Sequence, residues 1–246
     1  MYEVKSMNFR LAASFLLIAA LFHLAAPDCR AQNYWGAPDL DTRLKEIRTV
    51  RLVPPVVKVY ELTAGGVPER KDDWSTEATR NIIDAAVKNF QARGIQVTQG
   101  PIPKEAESEL ADIMPLYGAA SACMKAYAIG KNAFPTRASL DYSVGPVQQV
   151  LEKTGSDALL IISGQDYISS AGRKALMTTG VIMSLLTGFI AMPGGGSASA
   201  EAALIDPAGK ILWYKPKADG TSDLRDVDSS RKFMGDIFAD LPGVKR

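Results

Sequence analysis

Hydrophobic and polar positions divide the chain into a long apolar run near the start, a series of short periodic segments, and a second uncharged stretch late in the sequence. From Leu11 to Ala26 almost every residue is Leu, Ala, Ile or Phe, broken only by Ser14 and His23. Lys5 and Arg10 precede the run, and Asp28 and Arg30 close it. A spanning helix needs about 20 apolar residues, so this shorter run with a basic start reads as a secretory signal peptide over 1–31, cut after Ala31. Met7 is an alternative start. An uncleaved amino-terminal anchor is the other reading of the same pattern. Cys29 raises the question of acylation, but the residue before it is Asp28 rather than a small one, which favours ordinary cleavage.

Residues 32–48 are polar and mixed, with a turn signal at Gly36–Asp39, and are expected to tether the domain that follows. The single domain is expected over 49–246. Its first strand spans about 49–61, rich in valine and interrupted by Pro54 and Pro55, which remove two ladder donors and force an end, a bulge or an edge. A loop from Gly65 to Asp73 leads to a helix capped by Ser75 or Thr76, with Ala78, Ile82, Ile83, Ala86, Val87 and Phe90 on one face and Gly94 as its stop. Ile95–Val97 is a short strand. This strand-helix-strand unit favours a parallel pair. Residues 103–131 are helical in composition, with Pro115 and Gly118 expected to divide them in two. A short helix over 144–153 precedes a continuous apolar strand at 157–163, of the kind found at the centre of a sheet. Strands at 198–206 and 210–215, joined by the Asp206–Gly209 turn, form a hairpin. Phe233, Met234, Ile237, Phe238 and Leu241 mark a closing helix. The fold class is therefore α/β, a small mixed sheet with a β-α-β start, a carboxy-terminal β-hairpin and a closing helix.

Between the 157–163 strand and the hairpin lies an apolar helical insert, 175–192, of eighteen residues without a charge. Gly180, Ser184 and Gly188 recur every fourth position, a stripe that lets another helix approach closely. Leu185, Phe189 and Ile190 accompany them as possible membrane or oligomer contacts. A buried core helix explains the same pattern, and all three readings stay open at this point.

Composition changes the picture mainly by exclusion. Removing 1–31 takes three basic and two acidic residues from totals of 28 and 27, leaving the remainder balanced. No basic block suggests nucleic-acid binding. The chain's one histidine, His23, lies in the signal segment, so no Ser-His-Asp or Cys-His arrangement and no histidine metal ligand is expected beyond it. Cys123 would be the one cysteine left, with no disulfide partner, and reads as a small buried hydrophobe. Gly194–Ser197 lacks the lysine of a phosphate-binding loop and reads as a linker. The acidic pairs Asp72 with Asp73 and Glu105 with Glu109 read as solvated faces, and Tyr142, Tyr167 and Trp213 as packing groups. No catalytic, cofactor or metal residue emerges, so the chain is not expected to be an enzyme.

Thr49–Pro55 and Ala203–Tyr214 resemble segments of bacterial envelope lipoproteins, the broad group that includes the curli-secretion lipoprotein and related lipoproteins of unknown function. In that group a strand, an Asp-x-x-Gly turn and a strand ending in Trp recur. The resemblance implies a small α/β domain facing the periplasm, with Asp206, Gly209 and Trp213 as structural positions of the hairpin. The expected function is that of a non-catalytic accessory protein, periplasmic or associated with the outer membrane, which binds envelope proteins or associates with itself in an assembly or secretion system. An assembly factor inserting 175–192 into a membrane is the alternative, and an enzyme using carboxylate or lysine groups a more distant one.

Overall fold

The structure, a computed structural model, describes residues 34–129, 141–176, 178 and 196–243. One eight-stranded mixed sheet forms its centre. The strands are β1 (Trp35–Gly36), β2 (Thr49–Leu52), β3 (Val56–Leu62), β4 (Pro68–Arg70), β5 (Gln96–Thr98), β6 (Ala158–Ser169), β7 (Ser197–Ile205) and β8 (Ile211–Asp219). The helices are α1 (Leu40–Glu46), α2 (Asp72–Gln91), α3 (Lys104–Ile129), α4 (Gln148–Thr154) and α5 (Val227–Phe238).

The long strand β6 organises the sheet. Its apolar run is explained by burial on both faces, with Leu160 and Ile162 in the core under α1, α2 and α5 and Leu159 and Ile161 in the core under α3 and α4. One edge of β6 pairs antiparallel with β7 along nearly its whole length, and β7 pairs with β8. The other edge is shared. β2 lies parallel to its first part and β3 parallel to its second. Pro54 and Pro55 fall at the break, as loss of two donors requires. β2 then pairs parallel with β5, closing the β-α-β unit, and β3 pairs antiparallel with β4.

Several expectations need correction. The 65–73 segment contains β4, whose backbone pairs with Tyr60–Leu62 although all three of its side chains are exposed. Helix α2 begins at Asp72, earlier than a Ser75 or Thr76 cap allows, and the Ser75 hydroxyl instead donates to the Lys71 carbonyl and accepts from the Val59 amide. Pro115 and Gly118 do not divide α3, which is one helix. Pro115 is exposed on its outer side, so the carbonyl deprived of its partner faces water rather than the core. The inner side carries Ala106, Ile113, Tyr117, Ala120 and Met124, all buried at three-, four- and seven-residue spacing. The helix expected over 144–153 starts only at Gln148, because the Val144 and Val147 amides bond to carbonyls of the β7–β8 turn instead.

Residues 34–48 do not behave as a tether. Trp35 and Gly36 add a strand to β8, and Ala37, Leu40, Leu44 and Ile47 are buried in the core with α2 and α5. Of the insert, only Ala175, Leu176 and Thr178 are among the described residues, and they are helical. Gly180, Ser184, Leu185, Gly188, Phe189 and Ile190 lie outside the described residues, as does the signal segment. Among the described residues no helix is long and apolar enough to cross a membrane.

Candidate functional site

Among the described residues, helices α3 and α4 cover only part of one sheet face. Under them lie Leu159, Ile161, Ala203, Ile205, Ile211 and Tyr214. Side chains alternate along a strand, so the same face continues outward through Val56, Lys58 and Tyr60 on β3, Gln165 and Tyr167 on β6, and Ser197 and Ser199 on β7. None of these is buried. Tyr60 and Tyr167, directly paired across the strands, stack with ring centroids 5.1 Å apart.

Where the covered and uncovered parts meet, an open cleft of about 450 Å³ runs between the end of α3 and the strands. Its lining includes Val56, Lys58, Lys125, Ser163, Gln165 and Glu201. Glu201 is the hub. It is only 7% exposed, and a carboxylate so buried requires partners. The Ser163 hydroxyl donates to its Oε1 at 3.1 Å and the Tyr214 hydroxyl to its Oε2 at 2.7 Å. Lys125, on the penultimate turn of α3, places its Nζ 2.9 Å from the same Oε2. Burial, followed by the negative charge of Glu201, pushes the Tyr214 and Tyr117 phenols well above their usual range. Both therefore stay neutral, Tyr214 as a donor to the carboxylate. The Tyr117 hydroxyl is buried beside this cluster with no hydrogen-bond partner among the described residues. This polar clamp ties α3 to β6, β7 and β8 and fixes one wall of the cleft.

No protein-family model matches the chain, and no curated protein does. Among solved structures, the PelC dodecamer from Paraburkholderia phytofirmans is similar at 11% identity and a TM-score of 0.38, covering 87% of this chain and 96% of that one. A point variant of the same dodecamer is similar at 10% identity and a TM-score of 0.34, covering 78% and 86%.

The residues expected from sequence fall elsewhere. Asp206, 3% exposed, closes the β7–β8 turn: its Oδ1 accepts the Lys210 amide at 2.9 Å and its Oδ2 pairs with Arg43 of α1. Gly209 has φ +83°, and a Cβ there would overlap the Gly145 carbonyl, so no other residue fits without a backbone shift. Trp213 is fully buried under α5. Glu109 is not merely solvated, since its carboxylate accepts the Gln149 and Val150 amides and caps α4. Cys123 is exposed, not buried. Tyr167 belongs to the cleft face, a role sequence reasoning missed along with Glu201, Tyr214, Ser163, Lys125 and Lys58. Among the described residues no group of three or more His, Cys, Asp or Glu side chains is placed to hold a metal ion.

A second buried carboxylate, Asp166, lies on the opposite face of β6. It is 1% exposed, accepts the Leu224 amide at 2.8 Å through Oδ2, and leaves Oδ1 unpartnered among the described residues. The loop it anchors is also held by Asn81, whose amide donates to the Leu224 and Arg225 carbonyls. Burial, reinforced by Asp223 and Asp219 against the opposing Leu224 amide and Arg225, pushes Asp166 up to about 6. The folded state thus holds this proton more tightly than the unfolded chain, so the contribution is full below the unfolded value and is lost as pH rises through about 6. Comparing wild type with Asp166→Asn, the wild type should gain about 1 kcal/mol relative to the variant between pH 7 and pH 5. Urea unfolding at the two pH values measures it, and a constant difference would remove the proton from the account.

Proposed function

We propose that this chain is a non-catalytic accessory protein of a bacterial-type cell envelope that works by binding another protein surface at the uncovered sheet face. The signal-like pattern of 1–31 supports the compartment. The observation that carries the binding reading is the cleft itself: a lysine, an exposed valine, stacked tyrosines and a glutamine occupy a sheet face next to a carboxylate held rigidly by three donors. Large exposed apolar groups beside ordered polar ones suit a contact surface. Within an envelope assembly or secretion system, such a protein would act by association.

Site-specific photocrosslinking in cells tests this. A photoreactive residue at Gln165, exposed in the cleft, should give discrete adducts in the envelope fraction, while one at the exposed Lys88 of α2 should not. Absence of adducts from position 165 would remove the binding reading. Carbonate extraction of the same fractions reports on membrane insertion through 175–192: a chain that resists extraction would favour the inserted assembly factor.

A further inference from the structure

Resting on that binding reading, we infer that the occupant of the cleft is the outer face of α3 from a second copy of this chain. The inner face of α3 is spent on the sheet. One exposed flank, taken here as its outer face, displays Glu105, Asp112 and Leu116, seven and four residues apart and so on one side of the helix, and all three are exposed. Leu116 is 51% exposed, as is Val56 in the cleft, and both are large apolar side chains left open to solvent.

The two patches match in charge and in spacing. Neither Asp112 nor Glu105 forms an ion pair among the described residues, and Lys58 has no carboxylate partner among them. Asp112 and Leu116 are separated along the helix by about 6 Å, four residues at roughly 1.5 Å each. Lys58 and Val56, two residues apart on one face of β3, are separated by about 6.6 Å. A helix laid along β3 can therefore bring Asp112 to Lys58 while Leu116 meets Val56. Beyond Leu116 the same side of the helix carries Ala119, exposed and small, which permits close approach to a sheet.

One copy cannot satisfy both patches itself, because Asp112 lies thirteen residues, about 20 Å along the helix, from Lys125, the residue of α3 that lines the cleft. Each copy thus offers one knob and one socket. Such a head-to-tail contact closes into a ring or continues as a filament according to the rotation between neighbours. The Glu201 clamp acts through α3, since Lys125 holds the end of the helix whose outer face supplies the knob.

The test is sedimentation velocity on the protein recovered after expression of the full chain. The wild type should be associated at tens of micromolar, and Lys58→Glu or Asp112→Lys alone should weaken association about ten-fold or more, through like-charge contact. The double variant carrying both changes should recover association, because the ion pair is rebuilt with its signs exchanged. Leu116→Arg should dissociate the assembly without rescue. All three positions are solvent-accessible, and circular dichroism verifies that each variant is folded. A monomeric wild type, single variants that assemble like it, or a double variant no better than the worse single one would each overturn the inference. Cleft adducts whose mass exceeds the chain by something other than a second copy would overturn it too, while leaving the binding reading intact.

Discussion

Replacing Trp213 by alanine should cost about 4 kcal/mol of stability, the largest effect of any single change considered for this fold. Trp213 is fully buried on β8 and lies against Phe238 of α5, with ring centroids 5.8 Å apart. Phe238 in turn meets Phe90 at the end of α2 edge to face, at 5.3 Å. One indole therefore joins a strand to both long helices on its face of the sheet. Truncating it removes the transfer energy of a large aromatic side chain and leaves a cavity that three elements must share. For a domain of this size the thermal midpoint should fall by roughly 10 °C, read by circular dichroism. A shift of a degree or two would mean that the three rings do not form a common core.

Replacing Glu201 by alanine should cost about 3 kcal/mol, and for a different reason. The Tyr214 hydroxyl would lose its acceptor in a buried site, Ser163 would lose one as well, and Lys125 would no longer hold the end of α3. Glu201→Gln keeps an acceptor oxygen and discards the charge, so it should cost roughly half as much. The informative readout is local. Amide exchange in α3 from about 113 to 126 should quicken more than exchange in β6 or β7, since the clamp is what fastens that helix end over the cleft. Uniform loss of protection across the domain would show that Glu201 serves global stability rather than the cleft wall.

How much of this was legible in the sequence depends on the length of the signal. The apolar run at 157–163, the α2 face and the Phe233–Leu241 stripe are strongly periodic, and each became the element it predicted. The β7–β8 hairpin followed from its turn chemistry, with Gly209 at the one position that requires a positive φ. Short elements held by tertiary pairing were invisible: β4 is three exposed residues, and β1 is two residues in a polar segment. In α3 the proline was read by its local propensity, whereas the outcome was set by which side of the helix it occupies.

The cleft was missed because its residues come from five separated segments. Only one local sign of it existed, the charge of Glu201 inside the otherwise small and apolar strand Ser197–Ile205. A carboxylate at such a position must find donors once the strand is buried, and that requirement anticipates a polar cluster. It does not say that Tyr214, Ser163 and Lys125 supply it, since those pairings depend on sheet register. Asp166 is a parallel case, a single carboxylate on the extension of β6 beyond its apolar half, whose burial is set by the 219–226 loop folding over it.

The most direct measurement is lysine labelling of the protein in intact envelopes and again after purification and dilution, with the modification at Lys58 compared with that at Lys88. Both lysines are free of carboxylate partners among the described residues, and only Lys58 lines the cleft. If the uncovered sheet face is the working surface, Lys58 should be protected several-fold in the envelope and become reactive on dilution, while Lys88 stays reactive in both. Equal labelling of Lys58 in the two states would contradict the account and leave the cleft as an unoccupied surface of the fold.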